Sequence, residues 1–570
     1  EGRSIHSYQG ATQGDPLGPP FFMGGASPLL AWCVNEFPEL THLWYMDDPC
    51  AIGSLDSLSK FIPEFNAFAP QFGFLPKASS GVLLVKPDFY EEAKTLFPDL
   101  RILNSSTEGV EHLGSFFGAP EALIAWAREQ IRVETVRVLR LTELGWLAHH
   151  ATPSAYTHGV QNKLSFLMRT SPLPGELFQP LEDVIANKLL PALGLPTQLR
   201  NLFGLPTKFG GMSISNPTLT PALNYAASQA ISSPLVASAL AKSGMVPSAA
   251  DCSKGKASAL AEWRALLLAL TRQVIAEIPP SLCRPLPEPD EDANPKRKKT
   301  RPPPNVSSHL LQALPIAELG YLFSRHQWKD LMALRYLLPV EGLPAFCACK
   351  SKNPFTLQHA LSCPTGGHAI RRHNGVRDLL AGWLSKLSPF NIVVEPLLHP
   401  VHPEDRFAHR SANRDDEARS DILLVEGLFD PNHETFIDAC VPNRSSPSYE
   451  GLRMEAVLHR HELRKRAEYA ERVQTVEHAD FIPFVVSASG SLGAEAHHLL
   501  RLIASRLAAK FDQPYSSVLT LMKTQLSFFL ARSALHCLRG PRKPISPPCD
   551  FWALSAPFAS CLARLHNRGL

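Results

Sequence analysis

The chain is 570 residues long, with a formal net charge of +3 and 51 prolines. That length asks for several domains, each with its own core, and the weak positive charge permits a nucleic-acid partner without demanding one. No apolar run is long enough to span a bilayer, so no membrane partner is expected, and the eleven cysteines, scattered except for one cluster, suit a reducing compartment better than a disulfide framework.

In chain order, Gln13-Gly14-Asp15-Pro16-Leu17-Gly18-Pro19 reads as a Gly/Pro loop suited to close backbone approach to a nucleic acid. Tyr45-Met46-Asp47-Asp48 follows the apolar run His42-Leu43-Trp44 and precedes Pro49-Cys50-Ala51-Ile52-Gly53. This is the pattern of a tight β-hairpin with acids at its tip, and two hard oxygen ligands on a rigid turn can hold Mg²⁺ for phosphoryl transfer. Residues 56–73 have helical spacing (Leu58, Phe61, Ile62, Phe65, Phe68), and Gly81–Val85 reads as a strand. Residues 120–280, rich in Ala and Leu, read as mostly helical, with breaks at 171–175, 204–206 and 210–211. Residues 284–306 carry prolines, then acids, then the basic run Lys296-Arg297-Lys298-Lys299. That composition is a linker; its basic run is either solvated or a contact for phosphate or a nuclear import receptor.

A helical stretch at 308–337 leads into Cys347-Ala-Cys349 and His359-Ala-Leu-Ser-Cys363. Three thiolates and one imidazole make a closed Cys₃His set for structural Zn²⁺, with His359 and Cys363 one helical turn apart. The C-x-C spacing is tighter than the usual C-x₂-C, and buried cysteines without a metal are the rival reading. An α/β pattern follows: a helix near 367–388, strands at 391–398, 421–425 and 435–441, a charged helix at 450–474, a strand at 481–487 and helices to about 538. Arg371-Arg372-His373 opens the first of these helices and suits phosphate contact. Asp421 heads one apolar strand and Asp438 lies within the next. If those strands pair as a hairpin, the two aspartates converge on one Mg²⁺ or Mn²⁺, which can activate water and neutralise a phosphate. Lys465 lies on the charged helix, whose alternating acids and bases read by themselves as a solvated, salt-bridged face. Glu395 is either a supporting acid or a surface residue. Asp415, Asp416 and Glu417 read as a solvated loop, and His459, His461 and His478 are too irregularly spaced for a metal set.

Taken together, the QGDPLGP loop, the YMDD turn, Glu111-His-Leu-Gly114 and Leu205-Pro-Thr-Lys-Phe-Gly-Gly-Met-Ser-Ile-Ser-Asn-Pro217 resemble the back part of a non-LTR retrotransposon reverse transcriptase that ends in a restriction-like endonuclease. The back half resembles a PD-(D/E)xK nuclease core, with Ser420 where that motif has proline and Cys440 where it has lysine. The resemblance implies an α+β multidomain chain: a partial right-hand polymerase palm (1–120), a helical thumb (121–283), the linker (284–306), a helical segment with a zinc knuckle (307–366), an α/β nuclease domain (367–540) and a tail (541–570). It implies Asp47 and Asp48 as polymerase metal ligands. Gln13, Gly14, Lys77 and Gly114 would face nucleotide, template or primer, and Lys465 would be the displaced nuclease lysine beside Asp421 and Asp438. Element RNA and target DNA would be the partners, and the nucleus the working compartment after a cytoplasmic ribonucleoprotein stage. In this family a further palm aspartate lies well upstream, so the chain, which begins at Glu1, reads as a fragment with an incomplete polymerase site. The rival expectation is a nucleic-acid-binding remnant in which both active sites have decayed.

Overall fold

Short apolar runs separated by two-residue turns dominate the front of the chain, and long amphipathic runs dominate the rest. The computed structural model accordingly has a mixed α+β fold with small sheets. It describes residues 15–77, 81–240, 249–277, 305–349, 353–388, 391–400, 417–428, 430, 432–443, 446–449 and 452–541. Gln13, Gly14, the basic run at 296–299, Asp415, Asp416 and the tail from 542 onward lie outside the described residues. Contacts divide the chain into two units, Glu1–Arg132 with Thr170–Leu173, and Val133–Arg169 with Pro174–Leu570. The boundary falls inside the helix Pro120–Leu147.

In the first unit the QGDPLGP stretch is less of a loop than its composition predicts. Only Asp15–Leu17 form a turn, in which Leu17 N–H donates to Asp15 Oδ1 at 2.9 Å. The helix Gly18–Glu36 starts within the motif, because a proline in the first turn removes a donor that would have no partner anyway. Strands β1 (Thr41–Tyr45) and β2 (Asp48–Ile52) pair antiparallel with Tyr45 opposite Asp48, leaving Met46 and Asp47 as the turn. Met46 has φ +53°, a region that favours glycine. The helix Leu55–Phe68 is capped by Ser54, whose Oγ accepts from Ser57 N–H at 3.1 Å, and buries Leu58, Phe61 and Phe65. These pack with Leu29, Cys33, Phe37 and Phe97 into one core. Strands β3 (Val82–Val85) and β4 (Arg101–Asn104) pair in parallel. Strands β5 (Gly109–His112) and β6 (Ser115–Gly118) form a hairpin whose turn, Leu113 and Gly114, has positive φ at both positions, as a type I′ turn requires. Among the described residues no sheet in this unit exceeds two strands.

The second unit is organised around residues 205–217. Arg200 forms a two-pronged ion pair with Glu182, its Nε 2.6 Å from Oε1 and Nη2 2.8 Å from Oε2. The same guanidinium donates to the carbonyls of Ile214 (2.7 Å) and Ser215 (3.1 Å). Gln161 holds the next turn, donating to Ser213 O at 3.0 Å and accepting from Ser215 N–H at 3.1 Å. Both partners of the ion pair are buried. Glu182→Ala should therefore cost about 3–5 kcal/mol, because it strands a buried guanidinium. Chemical denaturation reads this directly, and a loss below ~1 kcal/mol, the worth of an exposed pair, would show that the pair does not hold the segment.

Past the linker the chain docks back on this segment. Ser308 Oγ donates to Thr207 O (2.8 Å), Gln312 Nε2 to Thr207 Oγ1 (2.9 Å), and the buried Trp328 indole N–H to Leu193 O (3.2 Å). Asn305 bridges Ser491, and Val306 N–H donates to Gly490 O at 2.8 Å. The linker expected to end at 306 is thus already tied down at its last two residues.

Four strands form the sheet of this unit: β7 (Ile392–Val394), β8 (Ile422–Leu424), β9 (Thr435–Cys440) and β10 (Asp480–Val485), in the order β10-β9-β8-β7. β9 and β10 run parallel, joined through the helix Met454–Thr475, and the other pairs are antiparallel. All six residues of β9 are buried. The helix His368–Leu384 contacts β9 and also packs on the helix Tyr515–Arg539, where Gly375 comes so close to Phe529 that a Cβ there would lie 2.2 Å from the ring.

Candidate metal centre and candidate active site

The Cys/His cluster is built by two local structures. An isolated bridge between Phe346 and Pro354 anchors the segment that carries Cys347 and Cys349, with Cys347 N–H donating to Asn353 O at 2.8 Å. Thr356 then caps the helix Leu357–Ser362, which presents His359, and Cys363 follows one turn later. The four ligand atoms all lie within 4.8 Å of one another. Cys347 Sγ is 3.8 Å from Cys363 Sγ, and Cys349 Sγ is 3.7 Å from His359 Nε2. A disulfide needs about 2.05 Å. A tetrahedral ion with bonds of about 2.3 Å to sulfur and 2.0 Å to nitrogen would space its ligands about 3.8 and 3.5 Å apart. The cluster therefore has the donor set and the spacing of a metal site.

The second site lies on the sheet. The β8–β9 ladder ends at the pair Ile422–Ile437, and Asp421 and Asp438 are the next residues beyond that pair on the two chains. Both aspartates are buried. Asp421 Oδ2 accepts from Ala439 N–H at 2.6 Å, and Oδ1 lies 3.0 Å from His373 Nε2. Across the ladder, Lys465 Nζ is 2.7 Å from Asp438 Oδ2. At that distance the ammonium sits directly on the carboxylate oxygen, a close charge-assisted pair. Lys465 also meets Glu468 Oε2 at 3.3 Å and lies 5.3 Å from the centre of the Tyr469 ring. Burial and the neighbouring Asp421 push the Asp438 carboxyl up to about 6, against the pull of Lys465. Burial works against charge on Lys465, but Asp438, Glu468 and Tyr469 outweigh it and hold the ammonium above its ordinary range. The hydrogen bond to Asp421 raises His373 above the usual imidazole value.

The helix Met454–Thr475 is fixed by contacts on the face that carries Lys465. One turn earlier, His461 Nδ1 is 3.4 Å from Cys440 Sγ and its Nε2 is 2.8 Å from Tyr449 Oη. Cys440 alternates with Asp438 on β9 and so shares its face. Glu462 accepts from Glu495 N–H at 3.0 Å, filling the space that Gly493 leaves at the start of the helix Ala494–Lys510, and Arg466 forks onto Glu495. Ser420, at the motif's proline position, is buried and donates to Ile437 O at 3.1 Å, a bond proline could not make.

The structure brings Asp421, Asp438, Lys465 and His373 together, and gathers Cys347, Cys349, His359 and Cys363 separately. Asp47 and Asp48 sit at the exposed tip of the β1–β2 hairpin, Lys77 is exposed ahead of β3, and Gly114 is in the β5–β6 turn. Arg372 corrects the expectation of a phosphate contact: it lies on the buried stripe of its helix with Val376 and Leu380, and donates to Leu361 O at 3.2 Å. Glu395 pairs with Arg377 through its side chain, and its N–H donates to Asp421 O at 2.9 Å, so it braces the site rather than facing it. The sequence reading missed the His373–Asp421 contact and the Tyr449–His461–Cys440 chain. The signal for the latter was present, since His461 and Lys465 are four apart on one helix while Cys440 and Asp438 are two apart on one strand.

No known protein family matches this chain, and no curated protein matches it.

Proposed function

We propose that the second unit carries a metal-dependent DNA endonuclease of the restriction-like kind, in a chain akin to the reverse transcriptases of non-LTR retrotransposons. The observation that carries this reading is the buried pair Asp421 and Asp438 at the end of the β8–β9 ladder, with Lys465 closing on Asp438. Two hard carboxylates side by side, both buried, fit a divalent cation such as Mg²⁺ or Mn²⁺. When bound there, the ion would neutralise a scissile phosphate and lower the pKa of a water molecule. Asp421 and Asp438 would hold it, Asp421 oriented by Ala439 N–H. Lys465 would donate toward the attacking water or the developing phosphorane charge, a role its locked charge suits. The Cys347, Cys349, His359 and Cys363 set would hold Zn²⁺ as a closed structural knuckle. By the same reading the Asp47–Asp48 hairpin is a polymerase-type acidic turn, and the partners are target DNA and element RNA in the nucleus.

The test is nicking of supercoiled plasmid with Mg²⁺ or Mn²⁺, comparing the chain with Asp421→Ala. Metal-dependent nicking that the substitution abolishes is the expected result. If neither protein nicks, although both are folded and hold zinc, the second reading takes over: a binding remnant, favoured by Cys440 standing where the motif has its lysine.

A further inference from the structure

We infer that His373 is a positioning residue for the Asp421 carboxylate, and through it sets the affinity of the Asp421–Asp438 pair for a divalent cation. This rests on the nuclease reading of that pair.

An ionised carboxylate can only accept, so the 3.0 Å contact fixes His373 Nε2 as the donor to Asp421 Oδ1. The other oxygen already accepts from Ala439 N–H at 2.6 Å. The carboxylate plane is thus held from both ends, by the β9 backbone on one side and a helix side chain on the other. Each oxygen retains a further lone pair for a cation. The Asp421 main chain is held as well, its carbonyl accepting from Glu395 N–H at 2.9 Å. Asp438 is held instead by the Lys465 ammonium, 2.7 Å from its Oδ2.

The scaffold behind His373 is stiff. Its helix presses Gly375 onto Phe529, ties Trp383 Nε1 to Gln525 Oε1 at 2.7 Å, and sends the buried Arg377 to Glu395. A donor mounted this way restricts the rotation of a metal-ligating carboxylate without touching the ion. Loss of such an outer partner typically costs roughly 10–100-fold in metal affinity or activity.

The experiment is Mn²⁺ titration of the intact, zinc-loaded chain without DNA, followed by calorimetry and by the electron paramagnetic resonance of free Mn²⁺. Wild type, Asp421→Ala, His373→Ala and His373→Gln are compared. The site is defined as the Mn²⁺ binding that Asp421→Ala removes. His373→Ala should weaken that binding roughly 10–100-fold. His373→Gln, which keeps a donor near the Nε2 position, should recover most of it. Raised Mn²⁺ should restore nicking by His373→Ala, and its metal-free DNA binding should not change. His373→Ala binding Mn²⁺ as the wild type does would overturn the inference and leave the nuclease reading standing, as would a loss confined to DNA binding, the mark of a phosphate contact. Wild type and Asp421→Ala binding Mn²⁺ alike would remove the nuclease reading and the inference together. Side-chain exposure of 35% makes His373 a replaceable position, and thermal melts of both His373 variants exclude misfolding as the cause.

Discussion

Lys465→Met should reduce nicking on the order of 10²–10³-fold, the usual cost of removing one group that stabilises developing charge. The same substitution should destabilise the second unit by about 3–5 kcal/mol, because it leaves a buried carboxylate without its cation. The side chains of Lys465 and Asp438 are only 15% and 6% exposed, so solvent can do little to replace the lost partner. The two effects separate in a double variant. Adding Asp438→Asn removes the stranded charge and should recover much of the stability, while nicking stays lost. Urea unfolding and plasmid nicking on the single and double variants check both halves. A single variant that nicks near the wild-type rate would make Lys465 a structural salt-bridge residue, and a double variant as unstable as the single would show that packing, not charge, was lost.

Elemental analysis should find one zinc per chain, and Cys363→Ser should remove it. Structural zinc in small finger peptides binds with an apparent free energy of about 10–16 kcal/mol, so losing it releases the local fold. Among the described residues of 345–363, Cys347 and Cys349 are held by one short bridge and a backbone hydrogen bond, while the six-residue helix also packs on the helix Tyr515–Arg539 and accepts from Arg372 at Leu361 O. Hydrogen exchange in that segment should rise to near-unfolded rates in Cys363→Ser, while the helix His368–Leu384, anchored by its own buried stripe, keeps its protection. Purified protein that contains no zinc yet shows the slow exchange of a folded segment would contradict the metal assignment.

Much of the candidate site was legible because its geometry is local. Asp421 and Asp438 stand out as acids in apolar runs, and antiparallel pairing is enough to bring them face to face. His359 and Cys363 likewise need only one helical turn. The contacts that escaped are tertiary. His373 and Asp421 are 48 residues apart, and nothing in either segment's periodicity names the other. Arg372 was legible and was misread: it is four residues before Val376 and eight before Leu380, so helical spacing alone puts it on the buried stripe. At the front of the chain, apolar alternation over four or five residues is enough to form β1–β6, but pairing partners depend on contacts that short strands do not encode.

The docking of 305–336 onto 193–210 bears on how such a protein can be taken apart. The proline-rich stretch after residue 277 looks like a natural joint for recombination, or for an engineer's scissors. Exchanging everything downstream of it would leave the Leu193 carbonyl without the Trp328 indole, and Thr207 without both Ser308 and Gln312. A chimera joined there would begin with a mismatched interior. The helical region before the joint and the helices packed on it from beyond the joint are therefore bound to diverge in step, each substitution on one side screened against the other.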